Sequence, residues 1–186
     1  MLLAAAAVWS GLVVVGALDP LDDALGPWLR ADGPDLWVTL TRLGDTGFLF
    51  VAVPVALAGL WLEHRRRTAW ALGLLMLLAW GLIEGLKLLA HRARPDGGLV
   101  PEDGFAYPSG HSLASLVFYG AWGLSAGPAA ARWGIAVGVG VGVTRLLLGV
   151  HHVSDVVGSW LIAAALLVLA YPGLVAEEPA VEQRVG

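Results

Sequence analysis

Six long apolar stretches restrict this sequence to a small set of folds. They cover residues 2–18, 47–62, 68–90, 112–126, 131–150 and 156–171. The chain is 58% hydrophobic, only 14% charged, and has a mean hydropathy of +0.74, whereas a soluble domain is about half apolar and a quarter charged. Because a bilayer requires backbone polar groups to be paired internally, such stretches form helices. The sequence predicts an all-α, polytopic membrane helix bundle with six transmembrane helices, the first retained and not cleaved as a signal peptide.

The segments outside these stretches are polar. Between the first two spans, residues 19–46 are expected to contain a short amphipathic helix that begins near Pro34 and lies in the headgroup region. A loop packed on top of the bundle is the alternative. The membrane domain is expected to occupy residues 1–175, and the polar, acidic residues 176–186 are expected to form a disordered tail.

The fifth stretch carries three glycines at four-residue spacing, Gly134, Gly138 and Gly142. Small residues at this spacing allow two membrane helices to approach closely. We therefore expect this helix to pack tightly against a neighbour.

A short polar loop precedes the fourth stretch and reads Pro108-Ser109-Gly110-His111. Pro108 interrupts any preceding helix, and the next helix begins with a hydroxyl and an unhindered backbone N–H, where an anion is favoured. His111 can donate a proton near neutral pH. This combination predicts phosphate chemistry.

The end of the third stretch carries polar residues at helical spacing, Glu84, Lys87, His91 and Arg94, just before Pro95. Charges on a membrane helix face protein or water and not lipid. This spacing predicts one helical stripe, with His91 in a supporting role. Pro95 disfavours helix at Arg94, so the chain is expected to leave the helix there. The alternatives are that the cations extend to lipid headgroups and that Glu84 only pairs with Lys87.

The third polar cluster lies between the last two stretches and contains Arg145, His151, His152 and Asp155. His151 and Asp155 are four residues apart, so at a helix start Asp155 can accept a hydrogen bond from one ring nitrogen and leave the other free to attack. We expect His152 to be interfacial or to support the site.

Composition excludes several other functions. The chain has no cysteine, which excludes disulfides and thiolate metal sites. The net charge is −4, and the sequence shows no basic cluster that would bind nucleic acid. Its histidines lack metal-ligand spacing with an added carboxylate, and nearby cations would repel a divalent metal. We expect no metal and no cofactor.

Taken together, the motifs resemble the type-2 phosphatidic acid phosphatase superfamily, a family of membrane lipid phosphatases. The matching patterns are K-x6-R-P from Lys87 to Pro95, P-S-G-H from Pro108 to His111, and R-x5-H-x3-D from Arg145 to Asp155. The family usually has serine before the arginine of its third motif, where this chain has Thr144, which keeps the hydroxyl.

The resemblance implies a role for each matched residue. His151 would be the nucleophile and form a phosphohistidine, oriented by Asp155, while His111 would act as acid and then base. The residues expected to bind the phosphate are Lys87, Arg94, Ser109, Gly110 and Arg145.

The expected partners are a lipid phosphate or diphosphate substrate and membrane lipids, with the oligomeric state open. Candidate substrates are phosphatidic acid, phosphatidylglycerol phosphate and undecaprenyl diphosphate. The Arg65–Arg67 cluster predicts that its loop lies in the cytoplasm, which places the polar loops that carry the site on the extracytoplasmic side. The expected location is a bacterial inner membrane. Alternatives are a lipid phosphotransferase, a transporter and a lipid-binding protein without catalysis. A related soluble haloperoxidase does not fit the apolar spans.

Overall fold

A computed structural model describes residues 1–175, and within this range the chain is helical and contains no β-strand. The predicted tail, residues 176–186, lies outside the described residues. The helices are α1 (Leu2–Val14), α2 (Asp19–Leu29), α3 (Asp35–Thr41), α4 (Thr46–Leu62), α5 (Arg66–Ala90), α6 (Gly110–Ala126), α7 (Pro128–Leu147) and α8 (Val153–Leu174). The all-helical membrane bundle is therefore confirmed.

The described residues contain fewer candidate spans than the six that the sequence predicts. By length and composition, α5, α7 and α8 can each cross a membrane, and the number rises to five if two bent helix pairs each count as one span. Helix α6 has 17 residues, somewhat fewer than the ~20 that cross a bilayer upright. The count of six remains a prediction.

The first span differs from the expected continuous stretch over residues 2–18. Helix α1 ends at Val14, the chain turns at Gly16 with φ of +72°, and α2 leaves at 90° to α1. Gly16 adopts this left-handed conformation without a Cβ clash. Helix α2 was not predicted from the sequence. Pro20 lies in its first turn, where proline is tolerated.

Helix α3 confirms the short helix expected near Pro34, which is its N-cap. Leu36 and Leu40 on this helix are exposed, whereas Thr41 is buried and accepts a hydrogen bond from Arg145 of α7. The helix therefore packs on the bundle through its polar end and leaves its apolar side chains outside.

Helix α6 lies at the centre of the bundle, where Leu113, Val117 and Ala121 are fully inaccessible to solvent. The glycine stripe of α7 confirms the predicted close packing. A Cβ on Gly138 would lie 2.5 Å from Leu116 Cα of α6, and one on Gly142 would lie 2.6 Å from the Trp160 ring of α8. These contacts hold α6, α7 and α8 together as one unit.

The antiparallel arrangement brings four helix ends together: the C-terminal ends of α5 and α7 and the N-terminal ends of α6 and α8. These four ends carry the three sequence motifs. All three motifs therefore lie at one end of the bundle, where Arg94 of the first motif directly contacts His151 of the third.

Candidate active site

A cleft of about 360 Å³ opens at this end of the bundle. The predicted site residues that line it are Lys87, Arg94, Gly110, His111 and His151. The remaining three, Ser109, Arg145 and Asp155, are buried behind this first set. The structure thus brings side chains from all three motifs to one cavity.

His151 is held in one orientation at the base of the cleft. Its Nε2 lies 3.1 Å from Arg94 Nη1, and because arginine can only donate, Nε2 must be the acceptor. In the neutral ring the proton is then on Nδ1, which lies 3.6 Å from Asp155 Oδ2. This separation is too long for the predicted hydrogen bond, but contacts of this kind often tighten only when substrate binds.

The pKa of His151 is lowered to about 4. Burial is the main cause, Asp155 opposes it, and the positive charges of Arg94 and Arg145 lower the pKa further. The imidazole is consequently neutral throughout the physiological pH range, which is the form that can attack phosphorus.

Arg94 lies outside α5, and the helix ends earlier than the predicted stripe requires. Helix α5 ends at Ala90 because His91 adopts a left-handed conformation with φ of 45°, and the His91 ring packs on Phe105. Arg94 follows in the loop, where its guanidinium donates to the carbonyl oxygens of Asp103, Gly104 and Val150 at 2.9–3.0 Å. These acceptors fix the guanidinium beside His151.

Arg145 is almost fully buried at the end of α7 and does not itself line the cleft. It donates to Thr41 Oγ1 at 3.0 Å and pairs closely with the carboxylate of Glu102. The second oxygen of Glu102 lies 3.7 Å from Arg94 Nη2. One loop carboxylate therefore bridges two of the cations predicted to bind phosphate.

Glu102 is ionised at neutral pH. Burial raises its pKa, but the charge and hydrogen bond of Arg145 outweigh burial and hold the pKa below its usual value. The one sequence signal for a role of Glu102 in the site is that it is an acidic residue in the short loop between the first two motifs.

His111 lies in the first turn of α6, and its Nε2 is 2.8 Å from Asp45 Oδ1. A carboxylate only accepts, so Nε2 carries a proton and Nδ1 is the nitrogen that can exchange one. Sequence reasoning missed Asp45. Its position before α4 resembles an ordinary N-cap, but its side chain makes no capping hydrogen bond and is directed to His111 instead.

The Ser109 side chain is placed differently from its predicted role. Its hydroxyl oxygen caps α6 by accepting from the Ser112 N–H at 3.4 Å and from the Ser112 hydroxyl at 2.8 Å, and its own N–H donates to Ser159. Gly110 lines the cleft directly, as does Lys87, whose Nζ lies 3.9 Å from Glu84. Ser109 thus positions the helix start and Gly110 faces the cavity.

An ionic network behind His151, buried except for the Asp19 side chain, was also missed by sequence reasoning. Arg92 Nη1 donates to Asp155 Oδ1, and Arg92 Nη2 donates to Asp19 and Asp22 of α2, all at 2.7 Å. Asp22 also accepts from the N–H and hydroxyl of Ser154. Burial lowers the pKa of Arg92, but Asp155 and Asp22 outweigh it and raise the pKa above its usual value.

The fold and the site define a polytopic helical membrane protein with a cationic, histidine-containing cleft at one end. A model of the PAP2 superfamily matches residues 68–177, more than half of the chain. The chain belongs to this superfamily, and it is a membrane-embedded lipid phosphate hydrolase.

A similar curated protein agrees with this assignment, and a solved structure shares the fold. Phosphatidylglycerophosphatase B of Bacillus subtilis (strain 168) is 31% identical over 166 residues, which cover 77% of this chain and 74% of the relative. The crystal structure of the first transmembrane PAP2 type phosphatidylglycerolphosphate phosphatase from Bacillus subtilis has a TM-score of 0.82 and 24% identity, over 91% of this chain and 92% of that one. The second match establishes the shared fold.

Proposed function

We propose that this enzyme removes the terminal phosphate of a glycerophospholipid phosphate through a phosphohistidine on His151. The observation that carries the proposal is the orientation of His151. Its unprotonated Nε2 faces the cleft cations and its Nδ1 faces a buried carboxylate. A neutral imidazole held in this way is an activated nucleophile.

In the first step, Nε2 of His151 attacks phosphorus and the bond from phosphorus to the lipid oxygen breaks. The leaving alkoxide takes the proton from Nδ1 of protonated His111, while Asp45 retains its hydrogen bond to Nε2. Asp155 stabilises the positive charge that forms on the His151 ring.

In the second step, water attacks the phosphohistidine and gives its proton to Nδ1 of His111. The bond from phosphorus to nitrogen breaks, inorganic phosphate leaves, and Nε2 of His151 is free again. His111 is thus an acid in the first step and a base in the second, as the hydrolysis of a covalent intermediate requires.

Lys87, Arg94 and Arg145 supply the charge that phosphoryl transfer needs, with the Gly110 N–H at the start of α6. Arg94 Nη1 lies 3.1 Å from His151 Nε2 and occupies the lone pair that must attack phosphorus. Substrate binding must therefore move the Arg94 guanidinium from Nε2 onto a phosphate oxygen. The phosphate must also replace Glu102 on Arg94 and Arg145.

We further propose that the site faces the extracytoplasmic side of a bacterial inner membrane. Helix α5 carries Arg66 and Arg67 at one end and Lys87 near the other, and its 25 residues span roughly 37 Å. The basic segment at residues 63–67, where α4 connects to α5, is therefore at the end opposite the cleft, and basic segments of this kind favour the cytoplasm.

Phosphatidylglycerol phosphate is the substrate we favour, because the curated relative is a phosphatidylglycerophosphatase. The decisive experiment is phosphate release by purified protein in detergent from phosphatidylglycerol phosphate, phosphatidic acid and undecaprenyl diphosphate. Fastest release from the first is the expected result. Fastest release from undecaprenyl diphosphate would overturn the substrate assignment but leave the phosphatase assignment in place.

A further inference from the structure

Thr41, at the end of α3, is the neutral partner of the Arg145 guanidinium. Its hydroxyl oxygen accepts a hydrogen bond from Arg145 Nη1 at 3.0 Å, and both side chains are buried. The other partner of this guanidinium is the Glu102 carboxylate, which the substrate phosphate must replace in the proposed mechanism. Among the described residues, Thr41 is then the side chain that remains to orient Arg145.

The segment that carries Thr41 is fixed to the bundle at further points. The hydroxyl of Tyr119 on α6 donates to the carbonyl oxygen of Leu43 at 2.8 Å. A Cβ on Gly44 would lie 2.5 Å from the Val141 side chain of α7, so the backbone at Gly44 packs directly on that helix. The position of Thr41 therefore depends on how α3 lies against α6 and α7.

The outer surface of α3 continues the lipid-facing surface of α4. The segment 35–44 and α4 meet at a bend of 42°. Exposed apolar positions recur every three or four residues across this bend, at Leu36, Leu40, Leu43, Gly47, Val51 and Val55. Exposed apolar side chains of a membrane helix contact lipid. The 17 residues of α4 span roughly 26 Å, less than the ~30 Å hydrocarbon core, so the apolar stripe extends the lipid contact into α3.

The exposed surface of α3 also has a polar edge. Asp35 and Thr39 are exposed and lie about 100° around the helix from Leu36 and Leu40, whereas Thr41 is on the buried side. A short helix with one apolar edge, one polar edge and one buried side fits the boundary between lipid and water. The apolar edge is therefore covered by the leaflet on the cleft side of the membrane.

We propose that contact of Leu36 and Leu40 with this leaflet holds α3 against the bundle, so that Thr41 positions Arg145 for the phosphate. The inference rests on the proposed function and adds a lipid-supported positioning residue to it. A leaflet can favour one position of α3 only if it binds that position better than others. The continuous stripe provides this difference, because the two leucines meet lipid when α3 is docked.

Two substitutions at Thr41 separate positioning from packing. Thr41→Val keeps the branched shape and removes the acceptor, so vanadate, a mimic of the transferring phosphoryl group, should bind about tenfold more weakly. Thr41→Ser keeps the hydroxyl and should bind vanadate as the wild type does. Calorimetric titration of protein in phosphatidylcholine nanodiscs gives the dissociation constants. Equal binding by all three proteins, or a loss in Thr41→Ser and none in Thr41→Val, would overturn the role of Thr41.

The same titration tests the contribution of the leaflet. The double variant Leu36→Asn and Leu40→Asn should weaken vanadate binding several-fold. The matched control is Asp35→Asn with Thr39→Asn, which introduces the same residue type at the same spacing on the polar edge and should cause no change. In a Thr41→Val background the leucine substitutions should cause no further loss, because both changes act through one contact. Additive losses, or no loss from the leucine substitutions alone, would overturn the coupling.

A depth measurement separates the lipid contact from the proposed function. The chain has no cysteine, so a nitroxide reacts only with a cysteine that is introduced. Labels on Leu36→Cys and Leu40→Cys should collide with oxygen dissolved in the bilayer, and labels on Asp35→Cys and Thr39→Cys with a water-soluble nickel chelate. Nickel access at all four positions would reject the lipid contact even if vanadate binds normally. Oxygen access at the two leucine positions without vanadate binding by the wild type would reject only the proposed function.

Discussion

Arg92 binds one oxygen of the Asp155 carboxylate at 2.7 Å, while the other oxygen of the same carboxylate lies 3.6 Å from His151 Nδ1. Arg92 also holds two carboxylates of α2. Asp155 is inaccessible to solvent, and its orientation is fixed by this guanidinium together with the backbone N–H of His152, which donates to the second oxygen at 2.9 Å. Arg92 therefore acts on His151 indirectly, as a positioning residue.

Arg92→Gln should both destabilise the protein and slow the first chemical step. Removing one partner of a buried ion pair costs about 3–5 kcal/mol, and Asp155 would keep only the backbone contact from His152 to orient it. Thermal unfolding and the rate of phosphoenzyme formation check this. The control is Arg30→Gln, since Arg30 is exposed and contacts a backbone carbonyl. Arg92→Lys should restore phosphoenzyme formation without fully restoring stability. That result would show that Arg92 positions Asp155 and does not act through folding alone.

Substitution of the two histidines should give opposite results in a labelling experiment. His151→Ala removes the nucleophile, so no phosphoenzyme should form. His111→Ala loses general acid help, worth about 10²–10⁴-fold for a poor leaving group, but an aryl phosphate leaves without it. Radiolabelled phosphate from an aryl phosphate should then accumulate on His111→Ala, where water lacks its base. Label on His151→Ala and none on His111→Ala would reverse the two roles.

The pKa of His151 can be measured by NMR on protein labelled at its five histidines, with His151→Gln to assign the signal. We expect titration near 4, well below a free imidazole at ~6.5. Because the folded pKa is the lower one, the stability linked to this group is complete above ~6.5 and is lost as the pH falls towards 4. Asp155→Asn should lower the pKa further. An unshifted pKa would contradict the burial of the ring.

Glu102→Gln should strengthen binding of inorganic phosphate and vanadate. The Glu102 carboxylate competes with such anions for Arg145 and Arg94, and hydrogen bonds to charged groups are worth about 1.5–3 kcal/mol. We expect the inhibition constants to fall by roughly tenfold. The matched control is Asp103→Asn in the same loop, because Asp103 contacts Arg94 through its backbone carbonyl. Weaker phosphate inhibition in Glu102→Gln would show that Glu102 assists binding.

The low pKa of Glu102 also predicts how this competition depends on pH. The carboxylate is ionised throughout the neutral range, so the ratio of inhibition constants between Glu102→Gln and wild type should be constant from pH 6 to 8. It should approach unity only when the pH falls through the lowered pKa, as protonation removes the competing charge from the wild-type protein.

Chelation should leave phosphate release largely intact, because Lys87, Arg94 and Arg145 provide the neutralising charge in the proposed mechanism. Vanadate should inhibit as a mimic of the transferring phosphoryl group. If EDTA abolished turnover and Mg²⁺ restored it, these three residues would not be a sufficient phosphate site.

Much of the site could be predicted because its motif residues sit at helix ends, where spacing along the chain indicates position. This is how the residues that line the cleft were predicted: Lys87, Arg94, Gly110, His111 and His151. The predicted stripe extended too far, because nothing in the local sequence shows that the chain already leaves the helix at His91. A backbone conformation of this kind is decided by tertiary contacts such as the Phe105 ring.

The residues missed by sequence reasoning share a different property. Asp22, Asp45, Arg92 and Glu102 act through partners far away in the chain, so no periodicity or short motif reveals them. Helix α2 was missed for a related reason, since its prolines and aspartates resemble a loop until Asp22 is seen to contact Ser154. Such long-range pairs are visible only once the fold has placed the helices.

The contact between Asp22 and Ser154 joins positions separated by 132 residues, and this has a consequence for biosynthesis. Helix α2 and Arg92 are made before Asp155 and Ser154, so a nascent chain that ends before α8 contains Asp22 and Arg92 without their full set of partners. Such a chain can still pair Arg92 with Asp19 and Asp22 of α2, but it lacks the contacts to Asp155 and Ser154. The network behind His151 is therefore complete only when the last described helix has been inserted.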